Sequence, residues 1–287
     1  MSFSEAEKRT RGQRGPARKT LVKAQYETTA AAADYAAAFE DWGPTARYHR
    51  SRRHIVGEVL KDCPGGTLLD VGCGPGMQVR NLLDERPGDF RITACDQSPA
   101  MVEAAAERVG ATAGVRLSVA DIEHMPFGDG SFDVVLAMGV LEYVDAGSAL
   151  REIARVLRPG GLAVATMLNP LSPYRLFEWG VFWPARRAAG FAERLCGVPP
   201  DRRHAARRTG IHAVRPARLR RMLWQSGLWP EDVAFYDVTA LVPPFDRVAR
   251  RWARGWRDAP ETTVSRGARR WLGTAYLMTA RHSAAGA

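Results

Sequence analysis

Four cysteines in 287 residues, Cys63, Cys73, Cys95 and Cys196, are too few and too scattered for a disulfide frame. No C-x-x-C spacing or His/Cys cluster marks a zinc site, so they read as reduced thiols of a cytoplasmic chain and no metal ligand set is expected. Long apolar runs are missing too, which excludes a membrane-spanning helix by length. The first residues are polar and basic where a secretory leader is apolar, and no internal repeat is visible. What remains is 46% hydrophobic and 25% charged residues, the balance of a globular protein, in a chain long enough for one large α/β domain with additions or for two small domains.

The net charge of +10 is unevenly spread. Residues 24–149 carry ten basic side chains against nineteen acidic ones, whereas residues 150–287 carry twenty-four against ten, every basic one an arginine. Such a surplus fits nucleic acid, a membrane surface or an anionic acceptor. It equally fits solvated arginine on an unengaged surface.

Residues 1–20 lack apolar periodicity and read as a disordered basic arm. Residues 21–62 read as a helical lid, with Tyr26, Tyr35, Phe39 and Trp42 before a break at Gly43-Pro44 and a second helix from about Tyr48 to Lys61. From residue 63 to 169 short apolar runs alternate with helical stretches. Strands are expected at 66–74, 91–97, 115–121, 132–140 and 162–169, and helices at 77–86, 99–109 (Ser98 as N-cap, Pro99 in the first turn) and 147–158. This alternation argues an α/β fold with a doubly wound parallel sheet. Residues 170–215, with five prolines and the aromatics Phe177, Trp179, Phe182 and Trp183, read as an inserted helical cap. Residues 216–287 complete the sheet, with a helix at 216–228, strands near 231–242 and 271–282, and an Arg-rich helical stretch at 245–270.

The sharpest signal is Leu68-Leu69-Asp70-Val71-Gly72-Cys73-Gly74-Pro75-Gly76. Glycines where a strand turns into a helix allow backbone angles that side chains forbid and let a ligand approach the main chain. A dinucleotide site would place Gly or Ala at position 77, where this chain has Met77. Asp70, at the strand end, suits a positively charged ligand such as the amino group of an aminoacyl chain and would repel a diphosphate. Asp96, at the tip of the second strand, can accept hydrogen bonds from both hydroxyls of a ribose.

These residues carry a family resemblance. LLDVGCGPG (68–76), ACDQSPAMV (94–102), ADIEHMPFGDGSFDVVLAMGVLEYV (120–144) and VLRPGGLAVAT (156–166) resemble, in order, the motifs of class I S-adenosylmethionine (SAM)-dependent methyltransferases of the ubiquinone and natural-product branch. The resemblance implies a Rossmann-like seven-stranded sheet whose last two strands form an antiparallel hairpin, here separated by a long insert. It implies SAM as cofactor and S-adenosylhomocysteine as product. Gly72, Cys73, Gly74 and Gly76 would line the methionine moiety and Asp70 would hold its amino group. Asp96 would bind the ribose, Gln97 and Met101 the adenine face, Asp121 and Ile122 the adenine amino group, and Met138 and Gly139 would close the methionine end. For Asp121 a helix cap, and for Met101 core packing, are the plain alternatives.

Methyl transfer from a sulfonium needs no metal, and much of the acceleration comes from holding the nucleophile in a closed, dry site. Glu142 and Tyr143, after the fourth strand, and Tyr26, in the lid, are the candidate acceptor-side residues; a surface carboxylate and core tyrosines are their alternatives. Tyr35, Asn169 and Tyr174 are placed nearby, while His124, His204 and His212 read as structural or solvated. Residues 177–184 read either as an aromatic wall for an apolar acceptor or as ordinary packing. Arg202, Arg203, His204, Arg207 and Arg208 read as a solvated cluster before an anion site.

The expected function is methylation of a small, apolar or aromatic metabolite on oxygen, nitrogen or carbon. A nucleic-acid enzyme is disfavoured because the Asn/Asp-Pro-Pro-aromatic motif of exocyclic-amine methyltransferases is absent after the fourth strand, and no RNA-binding module is appended. A SAM-binding scaffold without turnover remains open. So does an enzyme with peripheral membrane contact, acting on a lipid or quinone-like acceptor through aromatics and arginines at 177–187, Trp252 and Trp256.

Overall fold

A computed structural model describes residues 28–40, 44–199, 211–240 and 260–283, with Val242 and Phe245. The 1–20 arm, Tyr26, Trp42, the Arg202–Arg208 cluster, Trp252 and Trp256 lie outside the described residues. Two helices, α1 (Thr29–Glu40) and α2 (Pro44–Leu60), precede β1 (Gly66–Val71), α3 (Met77–Glu85), β2 (Phe90–Asp96), α4 (Pro99–Val109), β3 (Val115–Val119), β4 (Phe132–Ala137), α5 (Ala146–Val156) and β5 (Leu157–Leu168). The cap follows as α6 (Pro173–Phe177), a π-turn (Glu178–Phe182) and α7 (Trp183–Leu195). Then come α8 (Pro216–Gln225), β6 (Leu228–Val238), two 3-10 turns (Pro260–Thr263, Ala268–Leu272) and β7 (Gly273–His282).

The seven strands form one sheet in the order β3-β2-β1-β4-β5-β7-β6. β1 to β5 are parallel, and β7 runs antiparallel to both β5 and β6. The doubly wound sheet and its closing hairpin thus match the expectation. Helices cover both faces, so the central strands are apolar on both sides. Leu69, Val71, Val135 and Ala137 pack in one cluster with Leu150 and Ile153 of α5 and Leu219 and Leu223 of α8. Leu68, Val134 and Leu136 pack in the other with Ile55, Val56 and Leu60 of α2 and Val79 and Leu82 of α3. Side chains alternate along a strand, so Asp70 shares the face of Leu68 and points toward α2.

Local signals set the boundaries. Ser98 caps α4 by accepting from the Met101 amide at 3.3 Å, and Asp145 caps α5 through Ser148 at 2.8 Å. Several expected limits move. α2 begins at Pro44, because proline is well suited to a first helical position. α8 stops at Gln225, two residues before Gly227, whose φ of +81° ends the run. β6 begins at Leu228 and takes in Pro230, which an edge strand tolerates with a register shift before Val233. The last strand starts at Gly273, since 268–272 coil into a 3-10 turn. The Arg-rich helical stretch expected at 245–270 is described only in part, and its C-terminal portion is two 3-10 turns.

α2 is fastened to β6 by polar groups. Arg47 and Asp237 form a buried ion pair, and the other Asp237 oxygen accepts from Thr274. Arg47 also reaches Thr239 at 3.4 Å, and Ser51 meets Thr263. Asp237 has a φ of +55°, a left-handed conformation uncommon outside glycine that the surrounding contacts hold in place. Removing one partner of such a pair strands the other's charge. Arg47→Met is therefore expected to lower unfolding free energy by about 3–5 kcal/mol, and Arg47→Met with Asp237→Leu to recover most of that, both read from urea denaturation.

Candidate cofactor and active site

The C-terminal ends of β1, β2 and β4 open into a cleft. It is a topological switch point, because the chain leaves β1 toward β2 on one side and reaches β4 on the other. Gly72, Gly74, Asp96, Gln97, Met101, Asp121, Ile122, Met138, Gly139 and Tyr143 line it, as does Tyr35 from α1. Ten of the expected site residues, far apart in sequence, are therefore brought to one wall.

Each has a local cause. The Gly72 amide donates to the Cys95 carbonyl at 2.7 Å, and its φ is +68°. A Cβ there would lie 2.8 Å from the Val140 side chain, so the turn requires glycine. Asp96 accepts from the Gly74 amide at 3.0 Å and from the Ser98 amide at 2.9 Å. Burial raises its pKa while those amides lower it, and the hydrogen bonds fix the carboxylate at the rim. Asp121 accepts from the Glu123 amide at 3.0 Å, so it both shapes the turn after β3 and faces the cleft. Met101 is likewise buried in packing and part of the wall.

Four expectations need correction or stand apart. Gly76 does not line the cleft: with a φ of +74° it starts α3, and a Cβ would sit 3.0 Å from Ala105, so its glycine serves the approach of α3 to α4. Cys73 is buried outside the lining, its thiol 3.5 Å from the Gly74 carbonyl. Asp70 lies beneath the cleft and is 1% exposed. Glu142 is 2% exposed, not a surface carboxylate, and accepts from the Leu168 amide at 3.1 Å. Among the other residues singled out, Asn169 ties the end of β5 to Gly273 at 2.9 Å, and His212 donates its amide to the Glu142 carbonyl. The aromatics of 178–182 are not core packing, since none of those residues is buried.

Sequence reasoning missed the inner face of α2. Arg52 is 9% exposed, donates to the Met138 carbonyl at 3.3 Å and lies over the Tyr48 ring. One of its terminal nitrogens is 2.7 Å from where a Gly139 Cβ would be. It pairs with no carboxylate among the described residues. The Tyr48 hydroxyl is 2.9 Å from that of Tyr236, and burial pushes its pKa up to about 12. The one signal was helical spacing: Tyr48 and Arg52, like Arg47, Ser51 and Ile55, stand four apart and so share a face.

Neither oxygen of Asp70 has a hydrogen-bond partner among the described residues. Burial raises its pKa to about 7, with Arg52 opposing and Asp96 adding to the rise. A cation and an anion therefore lie beneath the cleft, each desolvated and outside any ion pair among the described residues. Two such groups at one cavity end complement a zwitterion: an ammonium for Asp70 and a carboxylate for Arg52.

A family model described as "Methyltransferase domain" matches residues 69–165. A ubiquinone biosynthesis O-methyltransferase of Caulobacter vibrioides is 40% identical over 209 residues, which is 70% of this chain and 70% of that protein. Its counterpart in Methylocella silvestris is 32% identical over 253 residues, 79% and 87% of the two chains. The chain belongs to the class I SAM-dependent methyltransferase family. A ubiquinone/menaquinone biosynthesis C-methyltransferase of Geotalea daltonii is 38% identical over 119 residues, 40% of this chain. The chain spans about half the length of that and several other curated relatives. The fold is shared with a chain of the complex between the Haloferax volcanii Trm112 methyltransferase activator and its methyltransferase. There the TM-score is 0.58 at 20% identity, over 89% of this chain and 97% of that one.

SAM, the cofactor this methyltransferase family uses, carries both halves of the zwitterion, and the donor set of the cleft fits it. Its ammonium would stabilise ionised Asp70 and draw the raised pKa back down, so binding releases a proton. Affinity for S-adenosylhomocysteine is accordingly expected to rise with pH up to about 7 and then level off. Calorimetry at pH 6 in buffers of different ionisation enthalpy should register that proton, and Asp70→Asn should abolish it. Asp96→Ala should weaken the same ligand by roughly 10–100-fold, the scale of losing charge-assisted hydrogen bonds to two hydroxyls.

Proposed function

We propose that this methyltransferase moves the methyl of SAM to a small aromatic acceptor, a phenol or quinol-type ring bearing an acidic hydroxyl. The observation that carries the reading is that Asp70, without a hydrogen-bond partner among the described residues, and Arg52 lie unpaired beneath the same end of a glycine-lined cleft. The names of the relatives, ubiquinone biosynthesis O-methyltransferases and ubiquinone/menaquinone C-methyltransferases, support a ring acceptor.

Bound SAM supplies a methyl already activated on a sulfonium. The protein's part is then to hold, orient and deprotonate. Asp70 takes the ammonium, Arg52 the carboxylate and Asp96 the ribose hydroxyls. Gln97, Met101, Asp121 and Ile122 flank the base, and Tyr35 closes the cleft from the lid. Tyr143 lines the same cleft and shapes its acceptor end.

Glu142 is the proton acceptor in this reading. Burial holds its pKa at about 7, while Arg52 and Arg175 limit the rise, so near neutral pH it can take a proton from an acidic hydroxyl. Tyr48 and Tyr236, both kept protonated by burial, supply a hydrogen-bonded phenol pair beside it. Tyr26 belongs to the same lid by sequence and is a candidate contact to the acceptor.

The fold is also shared with the [4+2]-cyclase SpnF, with a TM-score of 0.52 at 21% identity over 82% of this chain and 80% of that one, so the architecture by itself does not dictate methyl transfer. Radiolabelled methyl transfer to a panel of phenols, hydroquinones and catechols separates a transferase from a binding scaffold. Turnover on a ring hydroxyl or carbon is expected; binding of S-adenosylhomocysteine with no transfer to any ring acceptor would favour the scaffold. With a hydroxyl acceptor, kcat should rise with pH through about 7. Glu142→Gln should lower kcat by about 100-fold, flatten that profile and leave S-adenosylhomocysteine affinity unchanged.

A further inference from the structure

The cap leaves several of its apolar side chains in solvent. No residue of the π-turn or of α7 is buried, although the stretch contains Trp179, Val181, Phe191 and Leu195. Phe191 is 62% exposed and Leu195 72%, and Leu176, Trp179 and Val181 are exposed along the approach. Arg187, Phe191 and Leu195 fall four apart, so they form one outward line on α7, with Arg194 beside it. Arg187 and Arg194 are exposed and form no ion pair among the described residues. The Arg186 guanidinium lies 5.9 Å from the ring centres of both Phe182 and Trp183. A 13-residue helix with no buried side chain gains little from tertiary packing, and helices of that length are marginal alone.

Charge selects the occupant. The longer stretches outside the described residues that could be laid over α7 are themselves basic. Residues 1–23 carry seven basic and two acidic side chains, 201–210 carry Arg202, Arg203, Arg207 and Arg208 against Asp201, and 246–258 carry five arginines against two aspartates. A second copy would set Arg187 and Arg194 against their own kind. An aqueous polyanion would answer the arginines and leave Phe191 and Leu195 wet. A surface with negative charge above an apolar interior answers both.

We infer that the π-turn and α7 form a docking surface for an anionic lipid membrane, with Trp179, Val181, Phe191 and Leu195 entering the interface and Arg187 and Arg194 meeting the headgroups. The cap leaves the sheet at the C-terminal end of β5, through Asn169 and the buried Tyr174. Docking there would hold the cleft end of the sheet near the membrane, where an apolar acceptor resides. The inference does not depend on methyl transfer: a protein that never turned over could still dock in this way.

Cys196 gives a local probe, because it is the one exposed cysteine and directly follows α7. The full chain carrying Cys63→Ser is labelled there with an environment-sensitive fluorophore and mixed with vesicles of phosphatidylglycerol or of phosphatidylcholine. A blue shift is expected with phosphatidylglycerol alone, weakening as salt is raised. Phe191→Ser with Leu195→Ser should cut vesicle partitioning on the order of tenfold while leaving S-adenosylhomocysteine binding unchanged, which also certifies the fold. The inference is overturned by no shift with phosphatidylglycerol, or by an equal shift in the double variant. Vesicle binding with the probe unmoved overturns it by assigning attachment to basic segments elsewhere. A shift that follows protein concentration without vesicles, or one given by RNA and not by lipid, does so by naming a different occupant.

Discussion

The structure turns on one unsatisfied carboxylate. Asp70 sits near the end of β1, between the apolar Leu69 and Val71, with no donor to either oxygen among the described residues. Leaving a buried charge in that state is costly, and its pKa near 7 registers the cost. Arg52, brought over the strand by α2, is the complementary debt: a desolvated guanidinium outside any ion pair among the described residues. Each group is too poorly paired to be explained by stability, and together they match the two charged ends of an α-amino acid. Stability forgone beneath the cleft would be regained when a zwitterionic ligand bound there.

Helix α2, which delivers Arg52, is held by polar chemistry where it meets the site and by apolar packing where it leaves it. Arg47, Tyr48, Ser51 and Arg52 face β6, the 260–263 turn and the β4 end, whereas Ile55, Val56 and Leu60 enter the core beneath. Placing charge on the inner turn of α2 demands fixed partners, and Asp237 takes a left-handed backbone conformation where it serves as one. The hairpin β6–β7 therefore does more than finish the sheet. It supplies the anion and the Tyr236 hydroxyl that orient a helix from the other end of the chain.

Much of this was legible from residue order. The run from Leu68 to Gly76 could be read as a strand, a tight turn and a helix start because Gly72 and Gly76 have no side chain and β1 is apolar on both faces. Asp96 announced itself by standing at the tip of the next strand. Glu142 was read as a candidate but its burial was not, since a carboxylate after a strand looks the same in sequence whether it meets water or the Leu168 amide. Gly76 was assigned to the ligand and in fact faces Ala105, a contact between two helices that no local pattern encodes. Arg52 was invisible for the same reason: among the many arginines of this chain, burial alone distinguishes it.

By itself the sequence determined the alternation of strands and helices, the glycine turn, the capping residues and the carboxylates at strand ends, because each depends on backbone angles and periodicities that neighbouring residues impose. Tertiary structure alone decided that Asp70 lacks a partner among the described residues, that Arg52 comes from 18 residues upstream to face it, and that Trp179 and Phe191 stay exposed. Those are statements about which surfaces lose water, and desolvation is set by everything that packs nearby, however far away it lies in the chain.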